Sequence, residues 1–105
     1  MSLPALAVSG YSSIIEDLPL MQGMVEKPDD AVIFDAPDGR IVETIAEISA
    51  SSADVKKFYA ESLPPLGWSA VSDQDFTRDT EILKLSVEQE KGVSYVRFSL
   101  SPKKE

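Results

Sequence analysis

The sequence predicts an α+β domain of two layers, in which one helix packs on one face of an antiparallel sheet of about five strands. Two hairpin-like patterns of alternating apolar residues occupy residues 31–49 and 81–101, and a helical pattern lies between them. Strands that precede and follow a single helix, in the order β-β-α-β-β-β, are typical of a helix that crosses an antiparallel sheet.

The first hairpin is predicted around a three-residue loop, Pro37-Asp38-Gly39, in which glycine takes a left-handed conformation. This loop pairs Ala36 with Arg40 and leaves one face of the hairpin uncharged. Because a sheet buries its more apolar face, that face is predicted to be the core face. Its residues are Val32, Phe34, Val42, Thr44, Ala46 and Ile48.

A helix is predicted from Ser51 or Ser52, either of which is a good N-cap, to about Leu63. It ends there because Pro64 and Pro65 lack the N–H donors that a helix needs. Its buried face repeats at helical spacing. That face comprises Val55, Phe58, Tyr59 and Ser62, and we predict that Phe58 and the nearby Trp68 are structural.

The second hairpin alternates strictly, and its loop is predicted at residues 89–92. A strand after Gly67, a turn at residues 73–75 and a short strand at residues 76–78 precede it. Pairing Glu88 with Val93 places Lys84 opposite Arg97. The apolar face of this hairpin comprises Leu83, Leu85, Val87, Val96, Phe98 and Leu100.

Residues 1–30 are predicted to form an N-terminal arm, and residues 31–105 a single α+β domain. Residues 1–13 show little periodicity, whereas the apolar residues between 14 and 25 indicate that this segment lies along the domain. Residues 1–3 resemble the leader of an expression vector. We therefore expect that a signal peptide preceded the small residues at 4–10 and was removed.

The composition excludes several chemistries. The 105 residues include no cysteine and no histidine, which excludes disulfides, thiolate or serine–histidine catalysis and the commonest metal ligands. The net charge of −8 falls on residues 1–54, while residues 55–105 are balanced. Nucleic acid and anionic lipid are disfavoured as partners, and no apolar stretch is long enough to insert into a membrane.

The segment from Val55 to Trp68 resembles a pattern found in small bacterial domains, secreted or lipid-anchored, whose activity is not established. A helix carrying Phe58 and Tyr59 ends in these domains at a turn equivalent to Gly67-Trp68. The resemblance covers a short part of the chain. It implies a β-rich fold and a periplasmic or secreted location, and it implies no site. A cytoplasmic location is the alternative.

Acidic and aromatic residues suggest three sites, each with a more ordinary explanation. Asp35 and Asp38 lack the spacing of a calcium loop, and aspartates are common in turns. Glu43 and Glu47 stand about 13 Å apart on a strand, too far for paired acid–base catalysis and suited to salt bridges. Tyr59 is expected in the core rather than in a ligand platform. We therefore expect no enzyme activity, cofactor or metal.

The sheet face away from the helix is the predicted interaction surface, because one helix covers one face of a sheet. Two functions follow: a protein-interaction module of the bacterial envelope, binding a protein partner or forming a weak homodimer, or a small-ligand domain with a pocket between helix, sheet and N-terminal arm. The predicted face comprises Ile33, Ile41, Glu43, Ile45, Glu47, Ile82, Lys84, Tyr95 and Arg97.

Overall fold

The computed structural model describes residues 8–103, which form an α+β fold with one α-helix packed on a mostly antiparallel sheet. The elements are β1 (Val8–Tyr11), β2 (Pro19–Met21), β3 (Val25–Glu26), β4 (Val32–Ala36), β5 (Gly39–Ile48), α1 (Ser52–Ser62), β6 (Ser69–Ala70), β7 (Asp75–Arg78), β8 (Glu81–Glu90) and β9 (Val93–Pro102). Short 3₁₀ turns cover Pro28–Asp30 and Pro64–Leu66.

The main sheet of the described residues has seven strands, so the prediction of five is wrong, although the α+β class is confirmed. Its order is β3-β5-β9-β8-β7-β6, and β4 also pairs with β5. β3 and β4 follow one another along the same edge of β5, separated by the 3₁₀ turn. Of the strands in this sheet, β6 and β7 correspond to the predicted strand after Gly67 and the predicted short strand at residues 76–78. β3 was not predicted, because its two residues are too few to show a periodic pattern in the sequence.

The helix and its buried face were predicted correctly. Ser51 caps α1 by accepting a hydrogen bond from the backbone N–H of Asp54 at 3.0 Å, and all four residues of the predicted face are buried. The ring of Tyr59 packs edge-on against Phe58 and Phe98, with centroids 4.8 and 5.3 Å away. The segment from Val55 to Trp68 is therefore the helix and turn that close the core.

The β8–β9 hairpin keeps its predicted faces although its predicted register is wrong. The loop has two residues, Lys91 and Gly92, both with positive φ, as hairpin turns of this length favour. Leu85 therefore stands opposite Phe98 instead of Val96. The displacement is an even number of residues, so every side chain stays on its predicted face.

The β4–β5 hairpin differs by one residue, which exchanges the faces of β4. Its turn has two residues, Pro37 and Asp38, so that Ile33 rather than Phe34 stands opposite Val42. Val42 and the other predicted core residues of β5 are buried, but Val32 is 53% and Phe34 55% exposed. Their placement in the core was wrong because three consecutive apolar residues in β4 give no alternation that would specify the register.

The segment between β1 and β3 packs on the domain and contributes Ile15, Leu18 and Met24 to the core. The Tyr59 hydroxyl donates a hydrogen bond to the Pro19 carbonyl at 2.7 Å. β1 and β2 form a separate small hairpin that the sequence did not predict. The proposed vector residues 1–3 lie outside the described part of the chain.

Candidate functional site

Eight of the nine predicted interaction residues share the sheet face opposite α1. On β5 they alternate with buried residues, and the pairing places Ile45 beside Arg97, and Glu47 beside Tyr95. Ser99 of β9 stands between Glu43 and Lys84 and so joins β5 to β8 across this face. We call it the outer face.

Ile33 is the exception and corrects the prediction. It stands opposite the buried Val42 and therefore lies on the helix side of the sheet. It is nevertheless 56% exposed, because β4 lies at the edge of the sheet. The one-residue change of register moves Ile33 off the outer face and brings Val32 and Phe34 onto it.

Two ion pairs neutralise the glutamates of the outer face. A carboxylate oxygen of Glu43 lies 3.5 Å from a guanidinium nitrogen of Arg97, and one of Glu47 lies 3.1 Å from the ammonium nitrogen of Lys27. The predicted salt-bridged role of both glutamates is therefore confirmed. The predicted apposition of Lys84 and Arg97 is wrong, since Lys84 stands between Ser99 and Asp75. Exposed pairs of this kind each contribute about 0–1 kcal/mol to stability.

The outer face exposes apolar side chains that the sequence analysis missed. Phe34 stands opposite Ile41, and Val32 lies next to this pair opposite Glu43. Val25 is 55% exposed at the other end of the same edge. The run Val32-Ile33-Phe34 indicated in the sequence that some apolar side chains of β4 are exposed, because three consecutive side chains of an extended strand cannot all point into one core.

A groove of about 450 Å³ lies where the alternative hypothesis expected a pocket. It runs between α1, the end of β5 and the turn after β2, and its floor includes Ile48 and Phe58. Asp54, Lys57 and Glu61 line it and are exposed, so the groove opens to solvent. Its shape suits a surface-bound ligand better than an enclosed one.

Glu26 forms a polar cluster that no local pattern in the sequence indicated. Its carboxylate accepts hydrogen bonds from the hydroxyls of Ser12, Ser13 and Thr44 at 2.5, 3.0 and 2.8 Å, and from the Ser13 backbone N–H at 2.9 Å. Burial alone would raise the pKa of Glu26, but these donors outweigh burial and hold the pKa below its usual value. The pKa of Tyr59 is raised by burial and by the negative charge of Glu26, so its phenol remains a neutral donor.

This arrangement is structural rather than catalytic in character. A carboxylate that accepts four hydrogen bonds is held ionised and has little capacity left to take up a proton from a substrate. Three of the bonds join Ser12 and Ser13 to Glu26 in β3, and the fourth joins Glu26 to Thr44 in β5. Glu26 and Tyr59 therefore hold the N-terminal segment on the domain from two sides.

Trp68 is buried, which confirms the prediction that it is structural. The guanidinium carbon of Arg78 lies 4.5 Å from the centre of the Trp68 ring, a cation–π contact. Arg78 also donates to the Leu66 carbonyl at 3.0 Å and lies 3.7 Å from the Asp17 carboxylate. The indole is therefore buried, with Arg78 over its ring, and offers no ligand platform.

The acidic turns form no metal centre in the described part of the chain. Asp35 lies 3.7 Å from Arg40, and no group of three or more potential ligands comes together within residues 8–103. No helix within that range has the length and apolarity needed to cross a membrane.

No protein-family model matches the chain, and no curated protein or solved structure is significantly similar to it. The resemblance of the segment from Val55 to Trp68 to bacterial envelope domains therefore rests on its sequence pattern. The assignment of a function rests on the outer face, the edge strand β4 and the groove.

Proposed function

We propose that this protein is a non-enzymatic interaction module of the bacterial envelope, which binds a protein partner or a second copy through the outer face. One observation carries the proposal: no element within residues 8–103 covers this face, which includes exposed apolar side chains, with Val32 and Phe34 beside the half-buried Ile41. A monomer gains nothing from exposing large apolar side chains on one face, whereas an interface recovers their burial free energy, about 25 cal/mol per Å².

The distribution of charge on the outer face suits recognition. Glu43 and Arg97 pair at 3.5 Å, and Ile45 stands beside Arg97 in the middle of the sheet. Protein interfaces commonly combine an apolar centre with a polar rim, and arginine and tyrosine are enriched in them. Tyr95, which is 39% exposed, supplies an amphipathic side chain on the same face.

The envelope location is supported by the resemblance of Val55 to Trp68 to secreted or lipid-anchored domains and by the small residues at 4–10. Fractionation of cells that produce the protein from its complete gene tests the location directly. Recovery in the periplasm or the medium is expected. Recovery with cytoplasmic proteins alone would contradict this part of the proposal.

The interaction itself is tested with Ile45→Glu, which places a charge at the centre of the outer face. Light scattering over a concentration series measures self-association, and pull-down from an envelope extract with the full-length protein measures partner binding. We expect Ile45→Glu to weaken either association while the protein stays folded. Ala60→Glu is the matched control, because Ala60 is exposed on α1 and receives the same charge away from this face.

Two outcomes would contradict the proposal. The first is a strictly monomeric protein that retains no partner from the extract. The second is an equal loss of binding in Ile45→Glu and Ala60→Glu, since that result would reflect net charge instead of the outer face.

The groove supports a second candidate function, the binding of a small ligand. Its volume of about 450 Å³ lies within the usual range of ligand sites, and apolar and charged residues meet in it. NMR titration with a small-molecule library distinguishes the two functions. Shifts confined to the amides of Ala50, Lys57 and Phe58, and abolished in Ala50→Leu, would favour the ligand function over the outer face.

A further inference from the structure

The outward edge of β4 has backbone groups free for pairing. The Lys27 N–H donates to the Ile45 carbonyl at 2.7 Å, so the odd-numbered residues of β5 direct their backbone groups to this edge of the sheet. Along a strand, successive residues direct their backbone N–H and C=O groups to opposite edges. The residues of β4 that stand opposite odd-numbered residues of β5 therefore form hydrogen bonds with β5. Ile33 and Asp35 stand opposite Val42 and Arg40, so their backbone N–H and C=O groups point away from β5.

The free edge matches a short extended segment. Ile33 and Asp35 together offer two N–H donors and two carbonyl acceptors, and the turn Pro28–Asp30 and Pro37 limit the edge on either side. β6, at the opposite edge of the sheet, has only two residues. Since a short edge strand is a poor template, β4 is better suited than β6 for pairing with another chain.

The side chains of β4 are available on both faces. Val32 and Phe34 are exposed on the outer face and Ile33 on the helix side. Natural edge strands are commonly protected by lysine, proline or a bulge, but the apolar run in β4 has none of these. A segment added here would meet Val32 and Phe34 on the outer face, and Ile33 together with Asp35 on the helix side.

The charge around this edge selects the partner. Four acids flank or occupy it, Asp29, Asp30, Asp35 and Asp38, while Lys27 pairs with Glu47 and Arg40 with Asp35. Antiparallel pairing with a second copy would bring the acidic turn at residues 29–30 of each molecule to Asp38 of the other, between chains of net charge −8. Charge complementarity therefore favours another chain with basic residues.

We infer that β4 accepts an extended segment of alternating apolar and basic residues from a partner protein, which adds a strand to the sheet through Ile33 and Asp35. The inference rests on the proposed interaction function and specifies its edge and the chemistry of its partner. Such strand addition obtains affinity from main-chain hydrogen bonds and selectivity from alternate side chains.

The probe is a short synthetic peptide of alternating lysine and valine, titrated into the isotope-labelled protein at physiological salt. We expect the largest amide shifts at Ile33 and Asp35. Two matched peptides are the controls: one has glutamate in place of lysine, and the other is N-methylated at alternate amides so that it cannot form the ladder. Binding weaker by about tenfold or more is expected for both.

Ile33→Pro removes the outward N–H without removing a bond between β4 and β5, whereas Ile33→Thr keeps the N–H and a β-branched side chain. Weaker binding of the lysine–valine peptide by about tenfold in Ile33→Pro than in Ile33→Thr supports the inference. Asp35→Lys should reverse the preference between the lysine and glutamate peptides. If Ile33→Pro does not fold, the N-methylated peptide decides the question with the wild-type protein.

Equal binding of the methylated and unmethylated peptides would overturn the inference. Shifts centred on Ile45 and Tyr95, with no effect of Ile33→Pro, would also overturn it while leaving the outer face as an interaction surface. Self-association abolished by Ile33→Pro would show a second copy in place of a basic partner and overturn the partner chemistry. If no peptide binds while Ile45→Glu still weakens a native association, the edge inference fails and the proposed function stands.

Discussion

Tyr59→Phe should weaken the attachment of the N-terminal segment to the core without disturbing the packing of the helix. The substitution removes only the hydroxyl, which donates to the Pro19 carbonyl at 2.7 Å and lies 3.5 Å from the sulfur of Met24. The ring and its edge-on contacts with Phe58 and Phe98 remain. Any loss of stability therefore measures the hydrogen bond.

The expected cost is about 1–3 kcal/mol in the free energy of unfolding, because the bond is buried and its removal leaves the Pro19 carbonyl without that donor. Urea denaturation followed by the fluorescence of Trp68, the only tryptophan in the chain, measures this change. Hydrogen exchange should accelerate at the amides of Ser12 and Met24, whose backbone bonds hold the segment together.

Tyr95→Phe is the matched control, because it removes the same hydroxyl from an exposed side chain on the outer face. A change within about 0.5 kcal/mol is expected there. If Tyr59→Phe shifts the urea midpoint no more than Tyr95→Phe does, the Tyr59 phenol does not hold the segment, and the argument from its buried hydrogen bond is refuted.

Three further predictions concern the core, the acidic cluster and calcium. Phe58→Ala should cost about 3–5 kcal/mol in unfolding free energy, since the ring is buried, and an unchanged denaturation midpoint would exclude Phe58 from the core. The hydrogen bonds to Glu26 hold its folded-state pKa below the ordinary value of 4.5, so the stability that its ionisation provides is present above that ordinary value and is lost as the pH falls through the folded-state pKa. Glu26→Gln should therefore be less stable than wild type at neutral pH, and urea titrations should show the difference shrinking in acid; a constant difference would contradict this. Millimolar calcium should leave the melting temperature unchanged, because Asp35 already pairs with Arg40, and a rise with calcium but not magnesium would establish a site near Asp35 and Asp38.

The two long hairpins show which errors a sequence pattern allows. In β8 and β9 the apolar residues alternate strictly, so the predicted faces are correct although the predicted loop length is wrong. Leu85 and Phe98, for example, both lie on the predicted apolar face. In β4 the run from Val32 to Phe34 does not alternate, and a loop shorter by one residue exchanged the faces. Pattern specifies a face only where the two sides of a strand differ in polarity.

The candidate site was predictable in part for the same reason. Ile41, Glu43, Ile45 and Glu47 lie on the outer face because the intervening β5 residues are uniformly uncharged and buried. Val32 and Phe34 were missed because their position depends on the register of β4. The hydrogen bonds of Glu26 could not be predicted, since they join residues far apart in the chain and follow no local spacing.

The sequence by itself determined the fold class, the limits of α1 and the core faces of β5, β8 and β9. These follow from local periodicity, which the geometry of a helix or strand imposes on the chain. Only the tertiary structure decided the registers, the pairing of β3 and β6, the attachment of the N-terminal segment through Glu26 and Tyr59, and the exposure of β4. Each of these depends on which distant segments of the chain meet in the folded sheet, and no local pattern of residues specifies that.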